Sequence, residues 1–163
     1  MEKVFGATVR NDQLIVHGTG KAILIYGYGE EDGQGFDYRH VFNHKPTKEE
    51  LKKVIDAHVN ELTDQKILSG FVWNGKPVWL SSENQFNFKA AYDLAVQTSG
   101  ESLPVKFKLG EDAEGNPVYH TFKAMSAFSE FYTSAIAFIN QTLNEGWEEK
   151  DNVDYDALLG ENE

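Results

Sequence analysis

Residues 67–97 read ILSGFVWNGKPVWLSSENQFNFKAAYDLAVQ and decide the architecture of this chain. Asn74 and Gly75 separate two runs that are rich in aromatic and β-branched residues. Both central residues of a type I′ turn need positive φ, which Asn and Gly tolerate better than other residues do. The segment therefore predicts a tight β-hairpin in which Trp73 lies opposite Lys76.

A helix is predicted directly after this hairpin. The hairpin register is expected to continue to Trp79, opposite Gly70. Ser82 and Gln85 then have the spacing of a capping box, which satisfies backbone N–H groups at the start of a helix. Apolar residues recur at helical spacing to about residue 98. The predicted apolar face consists of Phe86, Phe88, Ala90, Ala91, Tyr92, Leu94 and Ala95.

An amphipathic helix is also predicted over residues 47–62. Thr47 and Glu50 form a second capping box. The opposite face is made of Lys, Glu, Asp and Asn, so this helix is expected to pack on another element through one side only. Its apolar stripe consists of Leu51, Val54, Ile55, His58, Val59 and Leu62.

Residues 105–145 repeat the order of a hairpin followed by a helix. Alternating apolar residues predict strands at 105–109 and 118–122. A helix over 126–144 follows, and Gly146 is expected to end it.

Residues 1–46 predict a β-rich region. Ala22 to Tyr26 is a continuous apolar run, short enough for a strand buried on both faces. Residues 27–35, GYGEEDGQG, are expected to form a glycine-rich acidic loop. With the helices above, the chain predicts an α+β fold in which short antiparallel strands and hairpins pack against about three helices. The predicted parts are residues 1–46, residues 47–147 and an acidic tail at 148–163.

The acidic tail carries much of the charge. Residues 148–163 hold seven acidic side chains against one Lys, so they supply −6 of the net charge of −11. Charge repulsion and few apolar groups predict that the end of this segment, beyond Tyr155, is mobile in the free protein. Tyr155, Leu158 and Leu159 are the candidate anchors through which it would bind a basic partner surface.

Composition excludes several classes of protein. The chain has no Cys, which excludes a disulfide scaffold and Cys-ligated metal sites. No run of apolar residues is long enough for a membrane helix, and no basic patch is present for nucleic acid. The first residues lack the apolar block of a signal peptide. A soluble protein that is made and kept in a cytoplasm is expected.

The sequence predicts no catalytic residue, metal site or cofactor. Gly18 to Lys21 resembles part of a phosphate loop, but Ala22 stands where Ser or Thr would hold magnesium. His40 and His44 have a metal-binding spacing only in a helix, and in a strand they lie about 13 Å apart. The acids of residues 30–37 match no calcium loop. We therefore expect a non-enzymatic protein.

Trp73 and Trp79 are the remaining candidate binding residues. Aromatic side chains on a hairpin can stack on sugars or bases or can contact a partner protein. Beside neighbouring apolar residues they more often pack a helix onto a sheet. The register places the two Trp residues on opposite faces, so at least one is expected to be partly exposed.

From about Thr47 to Asp151 the chain resembles an uncharacterised domain family of phage and prophage proteins. Members are often encoded among tail and tail-fibre genes. The resemblance implies a small accessory or tail-associated protein and supplies no catalytic residue. It rests on KPTKEELKKVI, KILSGFVWNGKPVWLSSENQFNFKAAYDLA, YHTF and NEGWEEKD.

Taken with the resemblance, the sequence predicts a non-enzymatic phage or prophage tail-associated protein, structural or assembly-assisting, that binds protein partners such as other tail components. One alternative is a carbohydrate-binding or small hydrolytic module of a tail device. Another is an acidic phage-encoded inhibitor of a host protein. Neither nucleic acid nor membrane is an expected partner, whereas homo-oligomers and incorporation into a virion both stay open.

Overall fold

The computed structural model describes residues 1–160 and has an α+β fold with eight strands and four helices in that range. The sheets are antiparallel, as predicted. In chain order the elements are β1 (Glu2–Phe5), β2 (Gln13–Val16), β3 (Ala22–Glu31), β4 (Gln34–Phe42), α1 (Lys48–Ser69), β5 (Phe71–Trp73), β6 (Lys76–Val78), α2 (Ser82–Gln97), β7 (Val105–Glu111), β8 (Pro117–Phe122), α3 (Met125–Asp151) and α4 (Tyr155–Leu159).

The chain forms two compact units. Unit 1 contains residues 1–60 and the chain from Glu148 onward, and unit 2 contains residues 61–147. The divisions fall inside α1 and α3, so each of these helices contributes residues to both units.

Unit 1 is a four-stranded antiparallel sheet, in the order β1-β4-β3-β2, with its core on one face. Ala22, Leu24 and Tyr26 are buried there, whereas Ile23 and Ile25 on the other face are only partly buried. The prediction of a strand buried on both faces is therefore wrong. An apolar run alone does not tell whether both faces of its strand are covered. The core residues from the other elements are Phe42, Leu51, Ile55 and Val59.

The expected glycine-rich loop at residues 27–35 is instead the end of a hairpin. β3 and β4 pair as far as Glu31 and Gln34, leaving only Asp32 and Gly33 as the turn. Their φ angles of 49° and 75° are both positive, as a type I′ turn requires. The prediction overlooked this Asp-Gly pair because the surrounding glycines and acids resembled loop composition.

The N-terminal cap of α1 is confirmed. The Thr47 backbone N–H donates to the Glu50 carboxylate at 2.9 Å, and the Glu50 N–H donates to Thr47 Oγ1 at 3.3 Å. Leu51, Ile55 and Val59 are buried as predicted. The helix extends beyond the predicted residue 62 to Ser69, because the next helix-breaking residue is Gly70.

Unit 2 packs its hairpins and helices around an aromatic core. The register of β5 and β6 is confirmed, with Trp73 opposite Lys76. Trp79 does not continue this hairpin opposite Gly70, because its N–H donates to the Leu109 carbonyl of β7 at 2.7 Å. The fully buried large side chains of this core are Val78, Leu80, Leu109, Phe122, Phe128 and Phe131.

The turn between β5 and β6 has the predicted conformation. The φ angles of Asn74 and Gly75 are 48° and 71°. A Cβ added at Gly75 would meet no atom within 4 Å, so only backbone conformation opposes a larger residue. The Asn-Gly signal therefore fixed this turn.

Gly75→Val is expected to lower the free energy of unfolding by about 1 kcal/mol or more, since a β-branched residue is strained at positive φ. Gly75→Asn is the matched control and should cost less, because Asn tolerates this region. Urea denaturation of both variants measures the difference. Equal stability of the Val and Asn variants would contradict a turn held by positive φ at this position.

Two further helix boundaries differ from the predictions. α2 is capped by Ser81, whose hydroxyl accepts the Asn84 N–H, and Ser82 is already the first helical residue. α3 continues through Gly146 to Asp151. A Cβ at Gly146 would lie 2.4 Å from Thr63 Oγ1, so this glycine permits close helix packing and does not end the helix.

Candidate functional site

The C-terminal segment is folded and packs on the core of unit 1. Asp154 caps α4 by accepting the Ala157 N–H at 2.9 Å. The apolar residues of this segment, Val153, Tyr155, Leu158 and Leu159, are partly buried against the core. The prediction of a mobile segment beyond Tyr155 is therefore wrong for the described residues. Residues 161–163 of the predicted tail lie outside them.

Partners of some carboxylates in this segment reduce the charge repulsion that opposes its folding. Lys48 Nζ donates to Asp156 at 2.6 Å, and Lys52 Nζ lies 5.9 Å from the centre of the Tyr155 ring. The net charge of the segment does not include the cations that α1 contributes after folding. The signal for docking was three apolar residues on one side of a short helix, Tyr155, Leu158 and Leu159, with Val153 just before it.

A groove runs along strand β2 beside α4. We call it the α4 groove. Its apolar part is a cavity of about 350 Å³ with Lys45 in its wall. The lining side chains and backbone come from Asp12, Gln13, Leu14, Val16, Lys45, Ala157, Leu158, Leu159 and Gly160. Two of the predicted anchors, Leu158 and Leu159, are thus walls of a groove that they share with β2.

An acidic cavity of about 410 Å³ continues the α4 groove. It shares Asp12, Ala157 and Leu158 with the apolar part. Asp12, Glu149 and Asp154 bring three carboxylates into its wall against the single guanidinium of Arg10. One end of the groove is therefore apolar and the other carries excess negative charge.

Hydrogen bonds hold the acidic end in place. Arg10 donates to both Asp12 and Glu149, and the Gly27 N–H donates to Asp12 at 2.7 Å. The Tyr26 hydroxyl donates to Glu149. The Arg10 hydrogen bond holds the pKa of Glu149 below its ordinary value, and burial, followed by the Glu149 bond, raises the pKa of Tyr26. Glu149 therefore stays ionised and Tyr26 stays protonated at neutral pH.

Trp73 is a core residue. Only 6% of it is exposed, and its ring lies 4.9 Å from His120, 5.4 Å from Phe122 and 5.3 Å from Phe131 between ring centres. The structure therefore removes Trp73 from the candidate binding residues. Its bulk fills unit 2 and leaves no ring face for a ligand.

Trp79 is 37% exposed at the surface of unit 2. Lys108 Nζ lies over its ring at 5.3 Å from the ring centre, and the same amine donates to Glu111 at 2.7 Å. A sugar stacking on this face would have to displace the Lys. A partner could therefore contact the Trp79 ring mainly where Lys108 does not cover it.

Helix α2 presents apolar side chains to solvent. Phe86 is 71% exposed, and Ala90 and Leu94 follow it at intervals of four residues on the same side. Lys89 and Asp93 flank this side and pair at 2.6 Å. We call Phe86, Ala90 and Leu94 the α2 stripe. The sequence predicted one broad apolar face here, but only its other part, including Phe88 and Ala95, packs into unit 2.

Two of the five histidines, His44 and His58, make contacts that give them a structural role. His58 is buried between Tyr26 and Tyr38, with ring centres 6.5 and 4.2 Å away. His44 Nε2 lies 3.0 Å from the carboxylate of Glu50.

Within residues 1–160, no three His, Cys, Asp or Glu side chains form a group able to hold a metal. No helix in that range could cross a membrane.

Comparison of the chain with protein-family models, with curated proteins and with solved structures found no match in any of the three.

Proposed function

We propose that this protein is a non-enzymatic, phage or prophage tail-associated structural or assembly protein that acts through protein–protein contacts. The α2 stripe is the observation that carries the proposal. Its residues lie inside the segment 66–95, on which the resemblance to phage and prophage proteins mainly rests. The phage context comes from that resemblance, and the mode of action comes from the stripe.

The spacing of the α2 stripe fits recognition of a helix by a groove. An apolar helix face that enters a partner's groove presents anchors about one turn apart. Phe86 is the main anchor, because large aromatic side chains supply much of the binding energy of protein interfaces. Ala90 leaves room for close approach at the centre, and Lys89 and Asp93 form a polar rim. The expected partner is a tail component with an apolar groove.

The proposal is tested in a phage or lysogen that carries the gene. The gene is deleted and complemented with the natural chain or with a variant carrying Phe86→Ser and Leu94→Ser. Tailed particles are then counted by electron microscopy. We expect the deletion and the double variant each to lower that count by about tenfold, the effect of losing hot-spot residues. Val9→Ser, a change of another strongly exposed apolar residue in unit 1, is the matched control.

The outcomes separate the parts of the proposal. An unchanged count of tailed particles after deletion would refute a structural or assembly role in the tail. A loss on deletion that the double variant fully restores would keep the role and remove the α2 stripe as its surface. The melting temperature of the purified double variant must equal that of the natural chain for the comparison to hold.

A further inference from the structure

Strand β2 is an edge strand that lies beside the α4 groove. It pairs only with β3 among the described strands. The His17 N–H donates to the Lys21 carbonyl at 2.8 Å, which makes His17 and Lys21 a hydrogen-bonded pair. Because such pairs alternate along an antiparallel ladder, Ile15 bonds β3 whereas Leu14 and Val16 direct their N–H and C=O outward.

The two edges of this sheet differ in protection. β1 has the sequence EKVF, and its Lys3 pairs with Glu31 at 3.1 Å. Charged side chains of this kind discourage pairing with another chain. β2 has the sequence QLIV without a charge, and Val16 is 46% exposed. Within residues 1–160, the β2 edge is therefore the one that is left open to an added strand.

The side chains next to this edge form an apolar surface that can receive every second side chain of an added strand. Leu14 and Val16 lie on the core face of the sheet and line the apolar cavity together with Leu158 and Leu159. In an added antiparallel strand, residues opposite Leu14 and Val16 would point their side chains to the same face. The apolar cavity would receive those side chains, while the strand would satisfy the outward N–H and C=O groups.

We infer that the α4 groove binds an extended peptide segment of another protein, which adds a strand to β2, places aliphatic side chains in the apolar cavity and places a Lys or Arg at the acidic end. The three carboxylates of Asp12, Glu149 and Asp154 supply the charge complementarity for that cation. The β2 strand of a second copy, QLIV, carries no Lys or Arg to place at the acidic end, so the expected occupant is a segment of another protein. This site is separate from the α2 stripe and does not depend on the proposed function.

The binding test uses nuclear magnetic resonance on the ¹⁵N-labelled full chain. The probe is the hexapeptide acetyl-Thr-Val-Thr-Val-Thr-Lys-amide, in which both Val residues and the Lys share one face. Its reversed sequence tests the parallel direction. We expect saturable shifts of the Leu14 and Val16 amide signals with one of the two peptides at concentrations up to about 2 mM. Glu in place of the Lys should weaken that binding by about fivefold.

Val16→Pro tests the edge itself. Proline is tolerated on an edge strand when its nitrogen faces away from the ladder, so the fold should persist while the outward N–H is lost. We expect peptide binding to weaken by about tenfold, as for one lost backbone hydrogen bond. Ile15→Thr, on the opposite face of the same strand, is the matched control and should bind as the natural chain does. The spectrum of each variant reports whether it is folded.

Four results would overturn the inference. One is the absence of saturable shifts with either peptide at 2 mM, a limit of about −4 kcal/mol in binding free energy. Another is a saturable response confined to signals outside β2 and α4. The third is equal binding by Val16→Pro and the natural chain. A concentration-dependent dimer that Val16→Pro abolishes would assign the edge to a second copy instead.

Discussion

Phe131→Ala is expected to lower the free energy of unfolding by about 3–5 kcal/mol, the cost of removing a large side chain from a close-packed core. Phe131 is completely buried. Its ring centre lies 4.9 Å from that of Phe122, 5.0 Å from Phe88 and 5.3 Å from Trp73. These neighbours come from three different elements, so their backbones restrain them from closing the cavity that Ala would leave.

Phe86→Ala is the control for this prediction, because it makes the same chemical change at a residue that is 71% exposed. It should change the free energy of unfolding by no more than about 0.5 kcal/mol. Urea denaturation followed by tryptophan fluorescence measures both variants, since Trp73 lies beside Phe131. A loss below about 1 kcal/mol for Phe131→Ala would contradict the packing of unit 2 described above.

Local sequence signals predicted much of unit 2 and of α1. Asn74-Gly75 and the capping box of Thr47 and Glu50 act between residues that are neighbours in the chain. Their consequences therefore do not depend on the rest of the fold. Asp32-Gly33 is a turn signal of the same kind, but the glycines and acidic residues around it have the composition of a loop. The α+β class followed from these elements together.

Burial was harder to predict than the elements themselves. An apolar helix face was correctly expected for α2, but the sequence does not reveal how wide a strip its neighbours cover. Phe88 is buried and Phe86, two residues away, is exposed. Likewise, a glycine at the end of an apolar helix pattern predicts a helix stop at Gly146. The sequence does not show that Gly146 packs against Thr63, because Thr63 lies more than eighty residues away in the chain.

The α4 groove could not be predicted because its walls come from distant parts of the chain. The sequence predicts Leu158 and Leu159 as partner-binding residues on a mobile tail, whereas in the structure they pack beside β2. Arg10 and Glu149 meet only after folding. Net charge indicated that the C-terminal segment was acidic, but it did not indicate that α1 supplies Lys48 to pair with it.

Removal of residues 152–163 is therefore expected to destabilise the protein. The segment places the partly buried side chains of Val153, Tyr155, Leu158 and Leu159 on the core of unit 1. Exposing the surface that they cover should lower the free energy of unfolding by about 3 kcal/mol. This value assigns each apolar side chain roughly half of the free energy of full burial and subtracts the entropy cost of ordering a short helix. Thermal unfolding of the shortened and natural chains measures the loss.

Point variants separate packing from charge in this segment. Leu158→Asp should lower the free energy of unfolding by about 2 kcal/mol or more, because a carboxylate would enter an apolar contact beside Leu14. Asp156→Asn removes the exposed ion pair with Lys48 and should cost less than about 1 kcal/mol. If the shortened chain and Leu158→Asp both unfolded at the temperature of the natural chain, α4 would not be docked in solution. The apolar cavity beside β2 would then lose one wall, and the inference that a peptide binds there would fail.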